Sequence, residues 1–467
     1  MRFTDLQYVL FLGAAFVVFR ALRRWRGFAF VWLTGMSLLF YATWDPRYLL
    51  LLGAATLLDY TMGGLIHAET REGRRKLWLA CSVVGNLGML GVFKYGDFVL
   101  ESVENVAGWL GAPIALGRLD AELPIGISFY SFQTLSYSID IWKRTLKPAK
   151  SLLEFTLFVT FFPQLVAGPI VRASEFLPQL EKAPRADARA VGEGLLLICV
   201  GMVKKMVLGD GIGRAIVDPF FADPGSRHAV EAIVADWASY FALYCDFSGY
   251  TDIALGSALL FGYVLPRNFD RPAFAPSPVE HWRRWHVTLG TFLRDYMYLP
   301  MGGSRRSPAR VWLNLFLVFF VSGVWHGVGM SYVVMGIWNG VLAATWRHVR
   351  PRPAEGGPVL LFERLLAFQL TALSVLALRP ISLPDLWAAV AAWGNWGVPF
   401  TGLVTPTGLG LLGVAIGLHL SPREWKERLL EEAATAPAFA LATMVVAVGG
   451  VCSLFALYAR DFYYFQF

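Results

Sequence analysis

Apolar positions in this chain mostly run on rather than recur at a helical or strand period. Stretches of the ~20 residues that cross a ~30 Å hydrocarbon core follow one another from end to end. We read twelve: residues 7–22, 28–44, 48–66, 77–94, 123–141, 190–208, 235–263, 311–329, 331–347, 358–378, 403–420 and 436–458. Only loops separate them, so the pattern predicts an all-α polytopic membrane protein, one integral domain over 1–467. A further stretch, FTLFVTFFPQLVAGPI (155–170), is short and interrupted by Pro163, Gly168 and Pro169. It predicts a broken or re-entrant element.

One segment has a different pattern. In SPVEHWRRWHVTLGTFLRDYMYLP (277–300), Ser277 with Glu280 three residues on makes a capping box, and Pro278 suits the first helical position. At about 100° per residue, Trp282, Trp285, Leu289, Phe292, Leu293 and Tyr296 share one arc. This predicts an amphipathic helix on the cytoplasmic face. His281 falls on its solvated face with Arg284, Thr288, Thr291 and Asp295, whereas His286 lies at the edge of the aromatic arc.

Composition agrees with a membrane chain: 56% hydrophobic, 16% charged, with a mean hydropathy of +0.50, far from soluble domains. The basic loops RALRRWRG (20–27), HAETREGRRK (67–76) and WKRTLKPAK (142–150) are cytoplasmic by the positive-inside rule. Residues 95–122, with Asp97, Glu101, Glu104, Asp120 and Glu122 against Arg118, belong on the other side. With one re-entrant element, the basic residues of 266–310, RHVRPR (347–352) and REWKER (423–428) are cytoplasmic too, and both termini are periplasmic. The opening MRFTDLQYVLFLGAAFVVFR lacks a basic n-region and an A-x-A site, so it reads as a retained helix. The net charge of +7 is thereby assigned to loops facing anionic membrane lipid, and no nucleic-acid partner is implied. The dispersed Cys81, Cys199, Cys245 and Cys452 predict neither a disulfide nor a metal site.

Polar groups inside spans are costly, at ~2.5–3.5 kcal/mol for a central Asp, and mark functional candidates. LPIGISFYSFQTLSYSIDIWK (123–143) carries Ser128, Ser131, Gln133, Thr134, Ser136, Ser138 and Asp140, which suits interhelical hydrogen bonding or a water-filled cavity. YCDFSGYTDIALG (244–256) holds Asp246 and Asp252. These are about 240° apart on a regular helix, so they form no acid/base pair; an unwound cavity-lining segment or satisfaction by neighbours remain as readings. VSGVWHG (321–327) puts His326 in an apolar run, one turn after Ser322 and between the small residues Gly323 and Gly327. Sequence physics leaves it a structural histidine, an acid/base group or a ligand.

These segments, together with FFPQLVAGPIVR (161–172) and NFDRPAFAPSPVEHWRRWHVTLGTFLRDYMYLPMGG (268–303), resemble the membrane-bound O-acyltransferase family, in its bacterial alginate-acetylating subgroup. The resemblance covers a core of about 123–340, with flanking helices 1–122 and 341–467, and the ending DFYYFQF looks like that subgroup's. It implies about 11–12 transmembrane helices, with re-entrant and amphipathic helices, around a central tunnel. It also implies His326 as the catalytic residue and His286 as a second, supporting histidine. Arg283, Arg284 and Trp285 would form a donor-side mouth, and Ser322, Trp325, Asp246, Asp252 and Gln133 would line the tunnel. The run MGIWNG, with Asn339, departs from the family's W-G-x-x-H-G. The implied donor is acetyl-CoA or another acyl thioester, used as substrate with no bound cofactor. The implied partners are a periplasmic SGNH-type acetyltransferase or other acyl acceptor protein and a polysaccharide such as alginate, in a bacterial inner membrane. D-alanyl transfer for teichoic acid, a transporter and an inactive scaffold are the rival readings.

Overall fold

Each of the twelve predicted apolar stretches coincides with helix in the computed structural model, and all regular structure among the described residues is helical. The structure describes every residue except 121, 166–167, 183, 185, 351–353, 355, 380–381, 457–459 and 461–467. The terminal DFYYFQF therefore lies outside the described residues. Five helices among them are long and apolar enough to cross a membrane: Tyr48–Ala68, Glu72–Trp109, Pro308–His326, Gly357–Leu376 and Ala438–Ala456. Leu6–Leu22, Arg26–Ala42 and Pro406–Leu420 are shorter apolar helices. The remaining predicted stretches carry polar side chains that are buried, which lowers their hydropathy.

The chain divides into two units. The first, Met1–Ala190 with Ser257–Leu265, contains α1 (Leu6–Leu22), α2 (Arg26–Ala42), α3 (Tyr48–Ala68), α4 (Glu72–Trp109), α5 (Ile127–Trp142), α6 (Leu152–Thr160) and α7 (Ala173–Leu180). Its centre is aromatic: Tyr8, Phe11, Phe40, Phe161, Phe162 and Phe261 are all buried, and the Phe11 and Phe162 rings meet edge to face at 5.1 Å. The predicted break at 155–170 is present. α6 ends at Thr160, Phe161 turns the chain, and a single helical turn follows at Phe162–Leu165. The Phe162 N–H freed at the break donates to Ser37 Oγ at 3.1 Å, so the irregular backbone is satisfied within protein.

Part of the polar face of α5, at Thr134 and Ser138, is satisfied by α3 and α4. Ser138 Oγ and Ser82 Oγ donate to Asp59 Oδ1 at 2.8 and 2.5 Å, Asn86 Nδ2 donates to Asp59 Oδ2 at 2.6 Å, and Thr134 Oγ1 donates to Asn86 Oδ1 at 3.0 Å. Here the interhelical hydrogen-bonding reading of α5 applies.

The second unit, Val191–Gly256 with Pro266–Phe467, takes in most of α8 (Ala188–Met202) and of α9 (Ala229–Leu260). It continues with α10 (Pro278–Arg284), α11 (Val287–Leu293), α12 (Pro308–His326), α13 (Met330–Val349), α14 (Gly357–Leu376), α15 (Leu383–Ala391), α16 (Pro406–Leu420), α17 (Arg423–Thr435) and α18 (Ala438–Ala456). α8 passes into a π-helical turn at Val203–Gly209, and α11 into another at Arg294–Tyr298. The predicted single amphipathic helix over 277–300 is corrected. It starts at Pro278 as expected, with Ser277 Oγ accepting from Glu280 N–H at 3.1 Å, but it breaks at Trp285 and His286. Trp285 is extended and His286 is left-handed, at φ 44°.

Candidate functional site

His326 is the last residue of α12, which Pro308 opens at its first turn and an extended Gly327 closes. α13 packs antiparallel to it through small residues: a Cβ on Gly323 would lie 2.5 Å from Gly336 Cα. The predicted close approach of another helix at Gly323 is therefore met by α13. Gly327 instead lies against the ring of Tyr332. The result is a tight hairpin that holds His326 at its turn, 6% exposed.

His286 reaches the same place from a different element. Its ring centroid lies 6.5 Å from that of His326 and 6.1 Å from that of Trp325, and Phe247 from α9 meets its ring edge to face at 4.8 Å. His286 is 2% exposed. Burial, and secondly the neighbouring His326, pushes its pKa well below the ordinary imidazole value, so it is neutral. Its placement rests on Asn268, itself buried. The Asn268 carbonyl accepts from Val287 N–H at 2.9 Å. Asn268 Oδ1 accepts from Thr288 N–H at 3.3 Å and from Thr288 Oγ1 at 2.9 Å, and lies 3.0 Å from His286 Nδ1. These bonds hold the left-handed turn, which costs a non-glycine residue about 1–2 kcal/mol.

The other candidates are placed as follows. Trp325 is buried, its ring centroid 5.0 Å from that of His326, and Ser322 is half-buried one turn earlier. Trp285 is buried among Phe269, Tyr240 and Tyr244, with centroids at 5.2, 5.5 and 6.1 Å, so it forms part of the core beneath the turn. Arg283 and Arg284 close α10 and both pair with Glu280, at 3.5 and 2.9 Å; Arg283 is largely exposed. His281 is corrected from a solvated position to a buried one: its Nδ1 lies 3.0 Å from the Pro272 carbonyl oxygen, and burial pushes its pKa down to about 3. Gln133 belongs to the first unit, fully buried, and its side-chain amide has no hydrogen-bond partner among the described residues.

Asp246 and Asp252 are each held by a lysine. Lys205 Nζ lies 2.5 Å from Asp246 Oδ1 and 2.6 Å from Asp210 Oδ1; Lys204 Nζ lies 2.5 Å from Asp252 Oδ2, and Lys426 Nζ is 3.8 Å from Asp252 Oδ1. α8 and α9 approach through Gly201 and Gly249, where a Cβ on Gly201 would lie 2.5 Å from the Gly249 carbonyl oxygen. That closeness lets consecutive lysines of the π-helical turn reach two carboxylates six residues apart. Sequence reasoning missed Lys204, Lys205 and Asn268. The lysines interrupt the apolar run VGMVKKMVLGD, and Asn268 opens the motif NFDRPAF. Asn339 is buried and donates to Met335 O on its own helix at 3.0 Å.

Residues 142–345 match the MBOAT, membrane-bound O-acyltransferase, family. The chain is 35% identical over 321 residues to the peptidoglycan O-acetyltransferase of Helicobacter pylori, covering 63% of this chain and 60% of that protein. It is 37% identical over 295 residues to the probable alginate O-acetylase AlgI of Pseudomonas aeruginosa, covering 62% and 55%. A teichoic acid D-alanyltransferase of Streptococcus thermophilus is 29% identical over 182 residues, 38% of this chain and 44% of that one. The chain thus spans less than two thirds of the length of these relatives. His286, His326, Asn268 and the paired lysines all fall inside the matched segment, and with it the chain carries a membrane-bound O-acyltransferase family domain at residues 142–345.

Proposed function

We propose that this protein is an O-acyltransferase that moves an acyl group, most simply acetyl, from a cytoplasmic thioester to a hydroxyl presented from the other side of the membrane. The product is O-acetylation of an exported or envelope polysaccharide. The observation that carries this reading is the pair of buried histidines, with ring centroids 6.5 Å apart, inside the family domain. An imidazole suits proton transfer near pH 7, because its neutral form offers a lone pair without first losing a proton.

In the reaction, His326 takes the proton of the acceptor hydroxyl as its oxygen attacks the thioester carbonyl. The tetrahedral adduct collapses, the C–S bond breaks, and the imidazolium returns the proton to the leaving thiolate. General base catalysis of this kind contributes about 10²–10⁴-fold. The donor is acetyl-CoA or a carrier-protein thioester, entering near Arg283 and Arg284, and a tunnel ending at His326 lets the acyl group cross without its carrier. The immediate acceptor is a periplasmic SGNH-type acetyltransferase, another acyl acceptor protein, or the glycan itself. The protein resides in a bacterial inner membrane with both termini periplasmic. The names of the two acetylating relatives support a glycan as final acceptor, and the smaller share matched to the D-alanyltransferase favours acetyl over D-alanyl. The lysine partners of Asp246 and Asp252 support a structural role for those carboxylates over the transporter reading.

The test is ester content of envelope polysaccharide from strains carrying the wild type or His326→Ala, with membrane levels of both proteins measured. Loss of ester at equal abundance is expected. Retained ester would sink the mechanism and return the scaffold reading.

A further inference from the structure

We infer that Asn268 is a positioning residue that locks His286 as its Nδ1–H tautomer, so that Nε2 carries a lone pair and His286 serves the site as a hydrogen-bond acceptor. This deepens the acyl-transfer reading and rests on it. The argument begins with the backbone. A peptide N–H only donates, so the Asn268 atom that meets Thr288 N–H at 3.3 Å is the amide oxygen. The Thr288 hydroxyl donates to the same oxygen at 2.9 Å. That oxygen only accepts, and it lies 3.0 Å from His286 Nδ1, so Nδ1 carries the proton. In a neutral imidazole the other nitrogen then has none.

The consequence separates two roles for the second histidine. An Nε2–H would donate to a developing oxyanion; an Nε2 lone pair accepts from a hydroxyl or from a protonated His326. The tautomer assigns His286 the second role, orienting the incoming hydroxyl or sharing the proton that His326 removes. The left-handed backbone of His286 belongs to the same device, since the Asn268 carbonyl and side chain bind the two residues that follow it. Partners that fix the tautomer of a catalytic histidine contribute up to about 10⁴-fold when they are buried aspartates. A neutral asparagine is expected to contribute on the order of 10²-fold.

The test is a double-mutant cycle on the full chain in membranes, reading acyl transfer per folded molecule and thermal stability for His286→Ala, Asn268→Ala and the double variant. If Asn268 acts through His286, the double variant transfers no more slowly than His286→Ala alone. A double variant much slower than His286→Ala, or an Asn268→Ala variant of wild-type turnover, would overturn the inference. Should Asn268→Ala fail to fold, Asn268→Asp decides. It keeps the accepting oxygen, and its carboxylate raises the basicity of His286, so activity persists and the acid limb of the pH–rate profile moves to higher pH. His326 from α12 is a titratable group facing the His286 ring, with uncharged Phe247 and Trp325 beside it. An unmoved limb overturns the inference. His326→Ala runs alongside: if it still transfers, the acyl-transfer reading has failed; if it is dead while the Asn268 variants behave as wild type, only the tautomer lock has.

Discussion

A buried lysine is harder to explain than a buried leucine, because it must bring its own counter-charge. Lys205 has two, with Asp246 and Asp210 both within 2.6 Å of its ammonium group. Ion pairs of this kind need not stabilise a fold relative to an apolar filling of the same volume, yet removing one member strands the others. Lys205→Met should therefore lower stability by about 3–5 kcal/mol, while Lys205→Met combined with Asp210→Asn and Asp246→Asn should recover most of that loss. Thermal unfolding of the detergent-extracted proteins reads both. If instead the single variant folds normally and loses acyl transfer, the carboxylates belong to the reaction and not to the scaffold. The same logic explains why the two aspartates drew attention in the sequence and their lysines did not. An aspartate inside a span is conspicuous, whereas Lys204 and Lys205 fall in the last turns of the predicted span 190–208, where a lysine can snorkel to the membrane surface and draws no notice.

Among helices, the hairpin of α12 and α13 sets how far His326 can drift. Its two helices touch backbone to backbone at Gly323 and Gly336, the geometry that small residues permit between membrane helices. A methyl group on Gly323 would meet Gly336 Cα at 2.5 Å and the Tyr332 carbonyl oxygen at 2.7 Å, neither of which can swing aside. Gly323→Ala is expected to destabilise by about 1–3 kcal/mol through overpacking and to reduce acyl transfer in the molecules that fold. Gly13→Ala is the control, because beyond its own stretch of helix a Cβ there would meet nothing within 4 Å, and a helical interior favours Ala by up to about 1 kcal/mol. Equal melting temperatures for the two variants would contradict this packing account. The break between α10 and α11 was hidden from the helical wheel for a related reason. WRRWHVT contains no proline or glycine, and its turn is fixed by Asn268, 18 residues away from His286, which local periodicity does not see. The break at Phe161 was legible because Pro163 and Gly168 mark it in the sequence itself.

For the molecule as a whole, hydropathy located the helices and the loop charges predict their sense, while the partners of buried polar groups needed three dimensions. α5 shows the division: its seven polar residues were visible, but Asp59, which receives Ser138 and Ser82, was one aspartate in an otherwise apolar run. The orientation is testable on one helix. α4 is 38 residues long, and the 27 residue-to-residue steps from Arg74 to Glu101 rise about 40 Å at 1.5 Å each. That exceeds the ~30 Å hydrocarbon core, so the two positions belong on opposite sides of a membrane that α4 crosses near its normal. Arg74 lies in the basic loop HAETREGRRK and Glu101 in the acidic segment, and both are exposed. In a Cys81→Ala background, a membrane-impermeant maleimide added to intact spheroplasts should label Glu101→Cys and spare Arg74→Cys until the cells are opened. The reverse pattern would invert every loop assignment and place the basic ends of α10 with the acceptor rather than with a cytoplasmic thioester. The acyl group would then have to travel in the opposite direction, which the proposed donor chemistry forbids.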